Sequence, residues 1–232
     1  MVPDFFVNLS VFFTENHQPS QKEHIMPNNI TTKNVEIAVM RHGNKNDDSL
    51  TPLGERQIKA AVKALFKRGF DFGHIAHSPT VRTRQCADIA QTAIKGHHFF
   101  VYREINGLSF EAPFAEAFDG DMEAYKKDLQ KVVETGNTVA AAREINNYSH
   151  LARQHLSNYL FSFAEEIVNL GEKDLGRKQA ICFSHSPFHT LAVPEKWAAS
   201  VPYEAPEASC VVYTIQDGNI IDAEFILAPI VE

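Results

Sequence analysis

"VEIAVMRHGNK", residues 35–45, carries an apolar run straight into Arg41, His42 and Gly43. Val35 to Met40 read as a buried strand that tolerates Glu36 near its entry. A cation and an imidazole follow at once, next to the one residue type that places no side chain in the way. Three letters recur by chance too often to decide anything alone, so the meaning of this strand end rests on the rest of the chain.

Downstream the pattern alternates. Thr51 can cap a helix whose first turn suits Pro52; Ile58, Ala61, Val62, Leu65 and Phe66 repeat at helical spacing before Gly69 stops the run. His74 to His77 predict a second strand, Thr80 to Ile94 a helix, and His98 to Tyr102 a third strand. From Glu116 to Glu172 the pattern is mostly helical, with helices near Met122 to Glu134 and Tyr148 to Leu170 and a less regular stretch around Gly136. "QAICFS", 179–184, is a further apolar strand leading to His185 and to a helix expected from Pro187 towards Trp197. "CVVYTIQ" and "IIDAEFIL" predict a hairpin around Asp217 and Gly218, a dipeptide that accepts the positive φ of a tight turn. The expectation is an α/β three-layer sandwich with a mostly parallel central sheet and a helical insert over 112–175.

At 232 residues and 44% hydrophobic content the chain can bury one large core, read as a domain over 35–232. A net charge of -7 argues against nucleic acid or an anionic membrane as the main partner. Cys86, Cys182 and Cys210 are odd in number, widely spaced and set among apolar residues, which predicts reduced thiols and a cytoplasmic location. Residues 1–34 form an atypical extension. "MVPDFFVNLSVFF" carries Asp4, lacks a basic leader and is too short to span a bilayer, so it reads as neither signal peptide nor anchor, and 14–34 read as a flexible lead-in. Sequon matches at Asn8, Asn29 and Asn147 carry no weight in a cytosolic setting.

In such a fold, ligands gather beyond the carboxyl ends of the strands. Arg41 and His42 follow the first strand, Ser78 and Arg82 the second, Glu104 the third and His185 the fourth. Two arginines, two histidines and a carboxylate are the parts phosphoryl transfer needs: planar cations for the oxygens, a nucleophile for phosphorus and an acid for the departing oxygen. That set requires neither a metal nor a cofactor. His185 and His189 lie four apart and His97 and His98 are adjacent, but Pro187 disturbs the first pair and no HExxH glutamate accompanies them.

The segments "MRHG" (40–43), "LTPLGERQ" (50–57), "HSPTVRTRQCADI" (77–89), "YREINGLSFE" (102–111) and "FSHSP" (183–187) occur in the order seen in the histidine phosphatase superfamily. The resemblance covers about residues 35–225, the insert apart, and implies a phosphoglycerate mutase-like fold. It further implies that His42 attacks phosphorus and carries a phosphohistidine, that Arg41, Arg82 and His185 line the phosphate pocket, and that Glu104 donates the proton, with Glu111 in reserve. Arg82 has the family's spacing from Ser78, whereas Arg84 falls on another helix face. The implied activity is hydrolysis of a phosphate monoester on a small molecule or a phosphoprotein. The alternatives are a non-catalytic phosphate-binding or scaffold member, or a phosphomutase.

These roles carry conditions. His42 must be neutral, its second nitrogen fixed by a backbone carbonyl nearby, with the arginines lowering its pKa by like-charge repulsion and Gly43 letting the loop fold close. Glu104 must keep its proton near neutrality, which requires partial burial. Ser186 and Pro187 depart from the glycine that often follows the second histidine. Asp47 and Asp48 at the pocket mouth are expected to repel heavily phosphorylated ligands unless a cation compensates.

Overall fold

The structure, a computed structural model, describes residues 34–93, 101–171 and 178–231. Residues 1–33 of the N-terminal extension, His97, His98 and the start of the expected third strand lie outside these residues.

Strand β1, Val35–Arg41, opens the fold. A two-residue hairpin, β2 Lys45–Asn46 and β3 Ser49–Leu50, leads to helix α1, Pro52–Lys67. Then come β4 His74–His77, α2 Val81–Ala93 and β5 Val101–Glu104. Four helices follow: α3 Glu111–Phe118, α4 Met122–Thr135, α5 Val139–Ile145 and α6 Asn147–Gly171. Strand β6 Gln179–Ser184, a short α7 Glu195–Ala198, β7 Cys210–Gln216 and β8 Asn219–Ile226 complete the order.

The six long strands form one sheet in the order β5-β4-β6-β1-β7-β8. Pairs β4–β5, β4–β6 and β1–β6 are parallel, while β7 and β8 add antiparallel. The alternation of side chains explains why the central strands read as unbroken apolar runs. Val35, Ile37 and Val39 of β1, with Ala180 and Cys182 of β6, bury on the face covered by the long α6. Ala38 and Met40, with Ile181 and Phe183, bury on the face covered by α1 and α2. Both faces are covered, and the mostly parallel three-layer α/β fold is as expected.

Three local expectations change. The irregular stretch after Gly136 is helix α5, capped by Thr138, whose hydroxyl accepts the Ala141 N–H at 3.2 Å. The helical stretch expected from Glu116 starts earlier, with α3 at Glu111. The helix expected from Pro187 is instead a 3-10 turn, Phe188–Thr190, followed by the separate short α7, because Pro194 interrupts the run. The β7–β8 turn is as expected, Asp217 and Gly218 both holding positive φ, 50° and 71°. Among the described residues no helix is long and apolar enough to cross a membrane.

Helix α1 fixes the end of β1. Thr51 caps it, accepting the Gly54 N–H at 3.1 Å, and the Asn44 carbonyl accepts the Thr51 N–H at 3.0 Å. Gly43 and Gly54 touch backbone to backbone: a Cβ on either would come within 3.0 Å of main-chain atoms of the other segment. Substituting Gly54→Ala forces this contact apart and is expected to cost about 3 kcal/mol. Urea unfolding measures that loss, and an unchanged midpoint would show that the approach constrains nothing.

Candidate active site

Strand register assembles the site. Arg41 of β1 stands opposite Ser184 of β6, the Ser184 carbonyl accepts the His42 N–H at 3.1 Å, and the Phe183 carbonyl accepts the Ser78 N–H at 3.0 Å. The residues just past β4, β6 and β1 therefore lie side by side: Ser78, His185, His42. The two imidazole centroids are 5.4 Å apart, although the residues are far apart in the chain.

His42 is buried, and its Nδ1 lies 2.8 Å from the Gly43 carbonyl oxygen. A carbonyl only accepts, so Nδ1 carries the hydrogen and Nε2 the lone pair. Burial is the main cause that lowers the His42 pKa to about 4, with Arg82, Arg41 and Lys45 adding to it and the Gly43 carbonyl opposing. The arginines thus contribute less than was expected of them, and desolvation does most of the work.

His185, also buried, has both nitrogens engaged. Arg82 Nη2 lies 3.1 Å from Nδ1, and Ser78 Oγ lies 2.8 Å from Nε2. Since a guanidinium only donates, Nδ1 accepts, and Nε2 carries a hydrogen that it donates to Ser78. The Ser78 hydroxyl then donates to Thr83 Oγ1 at 2.9 Å, which donates to the Ser78 carbonyl at 2.8 Å. Burial, then the Arg82 charge, lowers the His185 pKa to about 2. His185 is thereby a buried neutral ring that holds Arg82. Phe110 packs edge-on against it, 5.4 Å between centroids. The Ser186-Pro187 peptide that follows is cis.

Arg41 and Arg82 supply the cations. Arg82 pairs with Asp48 through Nη1, and Arg41 Nη1 donates to the Ala205 carbonyl. Both Nε groups are buried without a hydrogen-bond partner among the described residues. Arg84, by contrast, points outward and pairs with Glu104 at 2.8 Å. A cation does therefore compensate Asp48, and it is Arg82, the residue expected to clamp phosphate.

Glu104 does not meet the condition set for it: it is exposed, at the end of the edge strand β5, and tied to Arg84. Glu111 is exposed in the first turn of α3. Sequence reading missed Glu204, whose carboxylate lies 3.8 Å from Arg41 Nη1 with its side chain 31% exposed. Burial raises its pKa, Arg41 opposing. The only sequence signal is an acidic residue between two prolines in "VPYEAP", 201–206. Among the described residues no three His, Cys, Asp or Glu are grouped as a metal ion would require. Cys86, Cys182 and Cys210 are unbonded and buried. A neutral imidazole with a free lone pair beside two part-satisfied guanidinium groups suits a tetrahedral oxyanion.

The sequence model of the histidine phosphatase superfamily (branch 1) matches residues 31–152, a span that includes Arg41, His42, Arg82, Glu104 and Glu111 and stops short of His185. Among solved structures, the fold is similar to mycobacterial hydrolase 2, with 14% identity over 86% of this chain and 93% of that one and a TM-score of 0.55. It is also similar to the native mycobacterial glucosyl-3-phosphoglycerate phosphatase, with 14% identity, 84% and 98% covered and a TM-score of 0.52. A phosphoglycerate mutase from Bacillus anthracis str. Sterne is 12% identical, with 85% and 93% covered and a TM-score of 0.50. No curated protein matches the chain.

The buried rings have a consequence for stability. The unfolded chain binds a proton on each near pH 6.5, whereas the folded chain refuses it until about 4 at His42, 3 at His189 and 2 at His185. Stability is therefore full above about pH 6.5 and falls as the pH drops through that window. His189→Asn keeps a donor for the His185 carbonyl, which His189 Nδ1 meets at 3.1 Å, but cannot titrate. It is expected to flatten the slope of unfolding free energy by up to one proton, about 1.4 kcal/mol per pH unit, in urea titrations between pH 6 and 4.5. An unchanged slope would show that His189 is already protonated in the native chain.

Proposed function

Because the chain belongs to the histidine phosphatase superfamily, branch 1, we propose that it hydrolyses phosphate monoesters through a phosphohistidine on His42. The observation that carries this reading is the fixed tautomer of His42, whose Nδ1 hydrogen is committed to the Gly43 carbonyl at 2.8 Å, so that the nucleophilic pair is on Nε2. Arg41 and Arg82 hold the phosphoryl oxygens through their guanidinium charges. His185 keeps Arg82 in place through the 3.1 Å contact.

In the first step the Nε2–P bond forms and the ester P–O bond breaks, its electron pair leaving on oxygen, which takes up a proton. In the second, water attacks phosphorus, gives up a proton and returns the electron pair to Nε2. No step calls on a metal or cofactor. The substrate is a phosphorylated small molecule or phosphoprotein rather than a nucleic acid, which the net charge of -7 disfavours. A cytoplasmic location accords with three unbonded, buried cysteines.

Incubation with an isotopically labelled aryl phosphate in EDTA, followed by rapid quench, tests the scheme. Label is expected on the wild-type protein in an acid-labile, alkali-stable form and absent from His42→Ala, which also loses turnover. Arg82→Ala is expected to lower kcat by about 10² to 10³. Turnover by His42→Ala equal to wild type would refute the reading. With a polyol monophosphate in place of the aryl ester, phosphate reappearing on another hydroxyl of the substrate, instead of in solution, would make the protein a mutase.

A further inference from the structure

The proposed hydrolysis needs a proton for the departing oxygen, and the carboxylates beyond the strand ends differ in their freedom to give one. Asp47 is exposed. Asp48 is paired with Arg82 and Glu104 with Arg84. Glu207 accepts from Asn44 Nδ2 at 3.1 Å and from Gln57 Nε2 at 3.2 Å. Glu111 is exposed on α3. Among the described residues, Glu204 alone of these carboxylates is half-buried at the edge of a phosphate-clamp arginine with no closer basic or amide partner, 3.8 Å from Arg41 Nη1.

Its backbone is held on two sides. Asn137 Oδ1 accepts the Glu204 N–H at 2.9 Å, Asn137 Nδ2 donates to the Glu204 carbonyl at 3.3 Å, and the Asn137 carbonyl accepts the Tyr203 N–H at 2.9 Å. Downstream, the same loop binds the nucleophile segment: the His42 carbonyl accepts the Ala208 N–H at 3.2 Å and the Ser209 carbonyl accepts the Arg41 N–H at 2.9 Å. The loop thus ties the carboxyl to the main chain of Arg41 and His42. The buried phenols of Tyr125, Tyr148 and Tyr203 feel the Glu204 charge, and burial keeps all three protonated; among the described residues Arg41 is the charged group that acts on Glu204.

We propose that Glu204, rather than Glu104, is the acid that protonates the leaving group and then the base that takes a proton from the attacking water. This assignment rests on the phosphohydrolase reading. As the P–O bond breaks, the Glu204 carboxyl hydrogen passes to the ester oxygen; as water attacks the phosphohistidine, the carboxylate recovers a proton, so that one ester and one water give one alcohol and one phosphate. Desolvation, which favours the neutral carboxyl, supports the first half of the cycle.

The test compares Glu204→Gln and Glu104→Gln on 2,4-dinitrophenyl phosphate, whose leaving group needs no proton, and on phenyl phosphate, whose leaving group does. Phosphohistidine formation is measured in single-turnover quench, with thermal melting as a check on folding. Glu204→Gln is expected to form phosphohistidine from the dinitrophenyl ester at close to the wild-type rate and to lose about 10² to 10⁴ on the phenyl ester. Glu104→Gln is expected to affect both substrates equally. Should Glu204→Gln melt early, Glu204→Ala with added formate replaces it, and formate is expected to restore the phenyl phosphate rate at least tenfold. Equal losses on both esters for the Glu204 variants, no rescue by formate, or a leaving-group dependence that follows Glu104 would overturn the assignment while leaving the phosphohistidine scheme intact. A wild-type protein that forms no phosphohistidine from either ester would sink both.

Discussion

Three neighbouring strands, β4, β6 and β1, run parallel and stop at one level, and the pocket depends on that. Parallel pairing fixes which residues stand abreast: Met40 beside Phe183 and Arg41 beside Ser184 on one side of β6, His77 beside Phe183 on the other. One residue further along each strand, the backbone leaves the ladder and the side chains are released towards the same space. A slip of one residue between β1 and β6 would send Val39 and Cys182, now on the α6 face, out of step with their neighbours and carry His42 away from His185. The core that drives the sheet together is therefore what sets the 5.4 Å between the imidazoles.

That arrangement places neutral rings against permanent cations. Two histidines beside two arginines would repel one another if protonated, and burial removes the conflict by holding both rings neutral. The two rings then serve different ends. His42 spends its one hydrogen on the adjacent carbonyl, which leaves the lone pair on Nε2. His185 accepts from Arg82 and donates to Ser78, and so becomes the link between the clamp arginine and the hydroxyl chain behind it. The same desolvation that keeps the rings neutral thus makes the fold sensitive to acid, because the unfolded chain gains protons the native one cannot take.

The central strands and the terminal hairpin were legible because their apolar runs are bounded by turn residues, and Val35, His74, Gln179 and Cys210 begin strands where the pattern begins them. The row formed by Ser78, His185 and His42 follows from that strand order alone. Short helices without a clear apolar stripe, α3 and the alanine-rich α5, were not separable from loop by periodicity. Burial of individual carboxylates was out of reach for a different reason. Glu104 ends an edge strand, where its side chain meets Arg84 one layer out, and this depends on which strand the sheet leaves at its border. Glu204 gains its position through Asn137, from a turn 67 residues away whose φ of 51° no local pattern announces.

Asp48 shows how such a clamp can be both preassembled and open to a ligand. Its carboxylate pairs with Arg82 and accepts the Val81 N–H at 3.3 Å, so it sits where an anion is favoured, at the start of α2 beside a guanidinium. Yet the Asp48 side chain is 52% exposed, against 14% for Arg82, and an exposed partner contributes on the order of 1 kcal/mol or less to its pair. On the proposed function, a phosphate dianion brings more charge to the same guanidinium than the single carboxylate of Asp48 does. On that reading Asp48 holds Arg82 oriented at little cost to phosphate binding, because it is the weaker of the two anions that share the fork.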